Sequence, residues 1–133
     1  MILRNAFVSI DGVDLSSEVR EVTVNDGFAE HDNTVMSHTA GSVETGLAEW
    51  TISVRFRQNY SAGSVHQTLR PRRGTVVAVV VRHDAGPVSA TNEQITGNGI
   101  LKYTTPIGGT VGQPMEPSVE IRNAGTALAY ATA

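Results

Sequence analysis

The chain contains no cysteine, only one lysine and few aromatic residues, which make up 5% of the sequence. Without cysteine there is no disulfide framework and no thiolate chemistry. A formal net charge of −3 argues against a nucleic-acid reader, because such domains usually carry a strong basic excess. No apolar run approaches the ~20 residues that span a membrane, and the N-terminus lacks the apolar stretch of a signal peptide. These absences predict a soluble protein made in the cytoplasm.

Small and β-branched residues are plentiful instead. A length of 133 residues corresponds to one domain, which we place at residues 1–133. Hydrophobic residues make up 40%, enough for one modest core. The abundance of Val, Thr, Ser, Ala and Gly favours extended structure with many turns.

Residues 46–84 show the strongest pattern, which reads as strand, short helix and strand. Residues 50–57 alternate without a break, so that Trp50, Ile52, Val54 and Phe56 share one face of a strand. Residues 61–73 predict a helix of about two turns that starts at a Ser61 or Ser64 cap and ends at Pro71. Val65 and Leu69 would share the face that covers the sheet. The valine-rich residues 75–81 predict a strand buried on both faces near the middle of the sheet.

Five further segments have strand patterns. The segment of residues 6–10 is closed by Asp11-Gly12, a strong hairpin signal. In the strand of residues 19–25, we expect Val22 and Val24 on one face and Val19 on the other. We expect this strand to end at Asp26-Gly27. In the segment of residues 93–104, Gly97 and Gly99 suggest a bulge or a close backbone approach. The segments are residues 6–10, 13–15, 19–25, 93–104 and 118–122. The predicted fold is therefore mostly β, an antiparallel β-sandwich or partly closed barrel of about seven strands with one short flanking α-helix.

The longest irregular section is residues 28–45. A linker or disordered segment is one interpretation. The apolar residues Phe28, Val35, Met36 and Val43 favour the other, a β-hairpin arm or binding loop that orders against a partner. The C-terminal residues 124–133, with Leu128 and Tyr130, form a candidate contact tail. These six side chains are the predicted subunit or ring interface.

No motif predicts catalysis, a cofactor or a metal. Glu30, His31, Asp32 and His38 match no compact zinc spacing and have no thiolate partner. No serine occupies a nucleophile elbow, and no glycine-rich loop lies between a strand and a helix with a P-loop lysine. His66 is expected to be an exposed helix residue. The basic cluster of Arg55, Arg57, Arg70, Arg72 and Arg73 is expected to be a solvated face or to provide salt-bridge partners across a subunit boundary.

The order of these features resembles the tail tube (major tail) proteins of tailed bacteriophages. The resemblance covers roughly residues 6–128 and consists of layout and short phrases. These are the Asp11-Gly12 hairpin, Thr34-Val35-Met36 in the arm, the entry from Gly46 to Trp50, the short helix and valine strand, and the last strand from Pro117 to Ile121.

The resemblance implies a structural subunit and not an enzyme. Six copies would close a ring, and rings would stack into a hollow virion tail tube for genome delivery. The implied partners are other copies of the chain, a tape-measure protein and DNA in the lumen without sequence-specific binding, and tail tip and tail terminator proteins. Residues 28–45 would be the stacking arm. Acidic or neutral side chains should line the lumen, and the arginines on the Thr51, Ser53, Arg55 and Arg57 face should be paired or turned away from it.

Three alternatives remain at this point. The tube of a contractile tail or of a secretion system would share the same fold. A lone β-sandwich could be a binding module for sugar or protein, although a buried Trp50 would leave it without an aromatic platform. A small enzyme is the third.

Overall fold

The fold is one antiparallel β-sheet of eight strands in a computed structural model that describes residues 2–132. The strands are β1 (Phe7–Ile10), β2 (Val13–Asp14), β3 (Val19–Asp32), β4 (Val43–Phe56), β5 (Val76–Arg82), β6 (Gln94–Tyr103), β7 (Ser118–Asn123) and β8 (Ala129–Ala131). Their order is β2-β1-β5-β6-β7-β4-β3, and β8 pairs with β6. The sheet is not closed, and its ends are β2 and β3. The predicted mostly-β antiparallel architecture is confirmed, with β8 as an additional strand.

Helical structure is limited to short segments. The α-helix α1 spans Val65–Leu69, and 3-10 turns span Ser16–Glu18 and Arg70–Arg72. Val65 and Leu69 are fully buried in the sheet's core, as their spacing predicts. Ser64 occupies the N-cap position, but its side chain makes no capping hydrogen bond, so the predicted capping by its hydroxyl is wrong. Pro71 lies within the second 3-10 turn and so does end the α-helical geometry.

The Asp11-Gly12 hairpin has the predicted form. Ile10 pairs with Val13 across a two-residue turn. Asp11 has φ 55° and Gly12 has φ 83°, and two positive φ values are what the favoured type I′ turn requires.

The core lies on one face of the sheet. Alternation along β4 buries Trp50, Ile52, Val54 and Phe56, as predicted. The same face carries the buried side chains of the other central strands: Val8, Ile10, Val77, Val79, Val81, Leu101, Tyr103, Val119 and Ile121. Burying one face in this way leaves the opposite face without a layer of its own.

Trp50 reaches across the sheet to β6, although β7 lies between the two strands. A Cβ atom added at Gly99 would lie 2.7 Å from the indole and 2.7 Å from Ile121, and would collide with the Arg122 carbonyl. At Gly97 it would lie 3.1 Å from the indole and 2.6 Å from Leu128. The indole Nε1 donates to the Thr126 carbonyl at 2.7 Å. The close backbone approach predicted for the two glycines is therefore present.

β3 differs from its prediction in its length and in the face on which Val19 lies. It continues through Asp26-Gly27 to Asp32, since β4 pairs with it along this whole length. A register shift near Arg20 lets Val19 join Val22 and Val24 against the core, so its predicted opposite orientation is wrong. Such a bulge places an extra residue in one strand and reverses the alternation.

β5 lies within the sheet, between β1 and β6, but is buried on only one face. Val77, Val79 and Val81 point into the core, whereas Val76 is 59% exposed and Val80 is half-buried. The prediction of burial on both faces is thus wrong for the single chain, because no layer of this chain covers the second face.

We expect Gly99→Ala to lower the free energy of unfolding by about 1–3 kcal/mol, because the new methyl group overpacks the contact with Trp50. The matched control is Gly27→Ala, where the nearest atom to the added Cβ is the Glu49 carbonyl oxygen at 3.9 Å. The control should stay within about 0.5 kcal/mol of the wild type. Urea denaturation measures both, and equal effects at the two positions would contradict the packing role of Gly99.

Candidate assembly surfaces

The outer edge of β3 has no neighbouring strand among the residues that the structure describes. β3 is 14 residues long and pairs only with β4. The opposite end of the sheet is blunted, since β2 has only two residues. A long unpaired edge presents a row of backbone N–H and C=O groups on which another chain can add a strand. The fold therefore offers one extensive edge for backbone pairing.

The arm, defined as residues 28–45, is a β-hairpin. Pairing of β3 with β4 runs from Phe28/Ala48 to Asp32/Val43, with a register shift after Phe28. The Thr34 amide donates to Asp32 at 2.9 Å, and this bond holds the pKa of the Asp32 carboxyl below its ordinary value. Thr34 Oγ1 also accepts from the Ser42 amide at 2.7 Å. Of the two sequence interpretations, the hairpin is the one that forms.

Apolar side chains on the arm point into solvent. Phe28 is 61% exposed and Met36 is fully exposed; Val35 and Val43 are exposed as well. Leu47, just beyond the arm, is 85% exposed and was not among the predicted interface residues. The signal for Leu47 was the β4 alternation itself, which places it opposite the Trp50 face. The structure thus brings four of the six candidate residues together on one projecting hairpin.

The two candidates in the C-terminal tail have different surroundings. Leu128 is only 9% exposed and packs against Gly97 in the subunit's own core. Its assignment as an interface residue is therefore corrected to a core role, because the preceding turn folds the tail back onto β6. Tyr130 is half exposed on β8 and remains a candidate.

Tyr130 also connects the tail to the sheet edge. Its hydroxyl donates to the Asp26 carboxylate in β3 at 2.5 Å. This hydrogen bond, with a smaller contribution from burial, raises the pKa of Tyr130 to about 12. A tyrosine that donates to a carboxylate loses its proton less readily, because the resulting phenolate would face a like charge.

Most of the basic cluster is neutralised within the chain. Arg55 pairs with Glu21 and lies 3.7 Å from Glu116. Arg57 pairs at 3.0 Å with Glu18, whose carboxyl pKa is held low chiefly by that hydrogen bond. Arg72 pairs with Asp11 at 2.9 Å. Three of the five arginines are therefore paired within the chain, and salt bridges across a subunit boundary stay a prediction. Arg70 and Arg73 have no carboxylate partner among residues 2–132.

A further polar cluster surrounds His66. His66 is half-buried, not exposed as predicted, because its ring packs 4.6 Å from that of Tyr60 and its Nδ1 lies 3.1 Å from the Tyr103 hydroxyl. Burial raises the pKa of Tyr103. Within residues 2–132, no three His, Cys, Asp or Glu side chains are grouped so that they could hold a metal ion. None of the helices in this range is long and apolar enough to cross a membrane.

The fold is similar to that of a chain in the solved structure described as "Virion of native gene transfer agent (GTA) particle". The TM-score is 0.68, the sequence identity is 15%, and the match covers 96% of each chain. No protein-family model matches the sequence, and no curated protein matches it either. At this identity the similarity establishes a shared fold over almost the whole chain.

We expect the Tyr130–Asp26 bond to stabilise the protein at neutral pH and to lose this effect at high pH. Folding raises the Tyr130 pKa from 10.0 to about 12, so the folded state retains this proton longer than the unfolded state. The contribution is complete below pH 10.0 and disappears as the pH rises through about 12. Absorbance titration should show Tyr130 titrating at lower pH in Asp26→Asn. A stability difference between wild type and Asp26→Asn that is constant up to pH 12 would contradict this account.

Proposed function

We propose that the chain is a structural subunit of a phage-like particle and that its copies build a hollow tail tube. In this proposal six copies close a ring, rings stack, and the lumen first holds a tape-measure protein and later conducts DNA. Tail tip and tail terminator proteins would cap the two ends. The observation that carries the proposal is the long unpaired edge of β3, continuous with an apolar arm.

The unpaired edge supports assembly on physical grounds. A soluble protein usually shortens, charges or covers its edge strands, because an open edge recruits other chains. β3 remains open over 14 residues, while the far end of the sheet is reduced to two. Repeating one contact between unlike surfaces around a closed rotation generates a ring and removes the free edges. The similarity to a chain of a gene transfer agent virion supports a particle as the setting.

Over β4 and β7, the electrostatics of the non-core face are compatible with a conduit. This face carries Thr51, Ser53 and Arg55 on β4, and the Arg55 charge is compensated by Glu21 and Glu116. On β7, Arg122 pairs with Glu120. Paired arginines bind phosphate weakly, because a carboxylate already occupies the guanidinium. A DNA-conducting surface needs this property, and the pairing of Arg55 with Glu21 therefore supports the proposal.

The other candidate functions have less support. A contractile-tail or secretion-system tube would use the same fold and the same surfaces. A carbohydrate-binding module would expose aromatic side chains on one face, but Trp50, the single tryptophan, is buried. An enzyme would need a convergent set of reactive groups, and the polar clusters described above provide none.

Electron microscopy of the purified protein tests the proposal directly. We expect six-fold rings or hollow tubes at high protein concentration, with sedimentation velocity following the same transition in solution. A chain that stays monomeric at all concentrations and in the presence of its own particle components would contradict a tube subunit.

We expect the double variant Phe28→Asp/Leu47→Asp to abolish assembly while keeping the monomer folded. Both side chains are exposed in the single chain, so a carboxylate there costs little until a partner surface has to bury it. Ala62→Asp, in an exposed turn, is the matched control and should assemble like the wild type. Circular dichroism and the thermal midpoint verify the fold of each variant. Tubes formed equally well by the double variant would exclude Phe28 and Leu47 from the interface.

A further inference from the structure

The β6–β7 loop, residues 104–117, leaves the sheet at the end opposite the arm. β7 begins beside Arg55 at the far end of β4, whereas the arm joins the first residues of β4. Residues 104–115 contain no charged side chain. The loop carries two apolar side chains into solvent, since Ile107 is 78% exposed and Val111 is fully exposed. A loop with so little buried apolar surface depends on the hydrogen bonds at its base to stay ordered.

Gln58 holds both ends of this loop. Its backbone amide donates to the Met115 carbonyl at 2.9 Å, and its side-chain Nε2 donates to the Pro106 carbonyl at 2.7 Å. The Tyr60 hydroxyl donates to the same Pro106 carbonyl at 2.5 Å. Gln58 Oε1 accepts from the Asn59 amide at 3.1 Å, and this bond fixes the orientation of the side-chain amide. The Nε2 side of Gln58 therefore acts only as a donor.

A chain of hydrogen bonds connects Gln58 to His66 through the Tyr103 hydroxyl. The hydroxyl oxygen accepts from Gln58 Nε2 at 2.7 Å, so its own hydrogen is free to point to His66 Nδ1, 3.1 Å away. Nδ1 of a neutral imidazole accepts when Nε2 carries the proton. The donors and acceptors of this chain are thus consistent when His66 is neutral. We call Gln58, Tyr103 and His66 the clasp.

Protonation of His66 would place a hydrogen on Nδ1, the atom that faces Tyr103. The two groups would then both be donors, unless the Tyr103 O–H turns away. Among residues 2–132 the hydroxyl forms hydrogen bonds only with Gln58 and His66, so a rotated O–H would lose its acceptor. Burial raises the pKa of Tyr103, which keeps the phenolic proton in place. Because an unsatisfied donor in a buried site is costly, a charged His66 opposes the clasp.

The groups around the clasp keep a constant charge where imidazoles titrate. The other titratable or charged groups that face the site are Tyr60, with its ring 4.6 Å from the imidazole, Arg70, one turn further along the chain, and the Glu18–Arg57 pair, joined to the site through Asn59. Arg57 holds the Glu18 carboxyl in its ionised form, and phenols and guanidinium groups stay protonated near neutral pH. Histidine is the residue type that changes charge in this range.

We propose that the clasp is a pH-sensitive latch on the β6–β7 loop. At neutral pH His66 accepts from Tyr103, and Gln58 closes the base of the loop. As the pH falls and the imidazole gains a proton, the Tyr103 hydroxyl moves away from His66, and Gln58 loses an acceptor that orients its side chain. The base of the loop then loosens, and its apolar tip becomes mobile. This device lies within the single chain and does not depend on the proposed tube.

A dye on the loop measures the latch directly, because the natural chain has no cysteine. Val111→Cys, at a fully exposed position, is labelled with a maleimide dye whose emission does not depend on pH. Its fluorescence anisotropy is followed from about pH 8 to about pH 5. We expect a loss of anisotropy toward low pH along a single imidazole titration curve, with unchanged far-UV circular dichroism. Anisotropy that is constant, or that falls only together with the circular dichroism signal, would overturn the proposal.

Variants of the labelled protein identify the titrating group. His66→Asn presents a neutral acceptor in place of Nδ1, so its anisotropy should stay high over the whole pH range. Tyr103→Phe removes the hydroxyl that a protonated His66 would face, and its anisotropy should no longer depend on pH. His38→Asn, at an exposed position in the arm, is the matched control and should respond like the wild type. A pH response that persists in His66→Asn, or that disappears in His38→Asn, would overturn the assignment of the latch to His66.

Discussion

The contact between Trp50 and the two glycines of β6 is the constraint on which the rest of the fold depends. The indole can reach β6 only because Gly97 and Gly99 have no side chains. Its Nε1–H then finds the Thr126 carbonyl, which fixes the turn after β7. That turn sends Leu128 into the core and brings β8 alongside β6. One large side chain thus joins β4, β6 and the C-terminal tail, which are distant in sequence, into a single packed unit.

This arrangement also determines what remains free. Because the core occupies one face of one sheet, the other face has to be satisfied by charges, hydroxyl groups or a neighbour. Around Arg55 on β4 and Arg122 on β7 it is satisfied within the chain by the ion pairs Arg55–Glu21 and Arg122–Glu120. Over β5 and β6 it is not, since Val76 and Ile100 remain exposed there. The division between a compensated half and an uncompensated half arises from side-chain placement and not from strand order.

The sequence was sufficient where the physical signal is local. Strict alternation predicted the buried face of β4, and Asp11-Gly12 predicted a turn whose two positive φ values the structure shows. The sequence was insufficient where pairing with a distant strand decides the length of a strand or the face on which a side chain lies. The length of β3 depends on β4 continuing beside it past Gly27, and the face of Val19 depends on a bulge. The exposure of the apolar residues on the arm could be predicted from their isolation in an irregular stretch. The burial of Leu128 could not, because it depends on a turn held by Trp50.

The valine-rich strand β5 is the clearest case in which the sequence pattern alone does not determine burial. A run such as residues 76–81 predicts burial on both faces, and the single chain buries only one. The pattern therefore predicted the position of the strand inside the sheet correctly, but the single chain covers only one of its faces. Apolar residues retained on an exposed sheet face cost solubility unless a partner covers them.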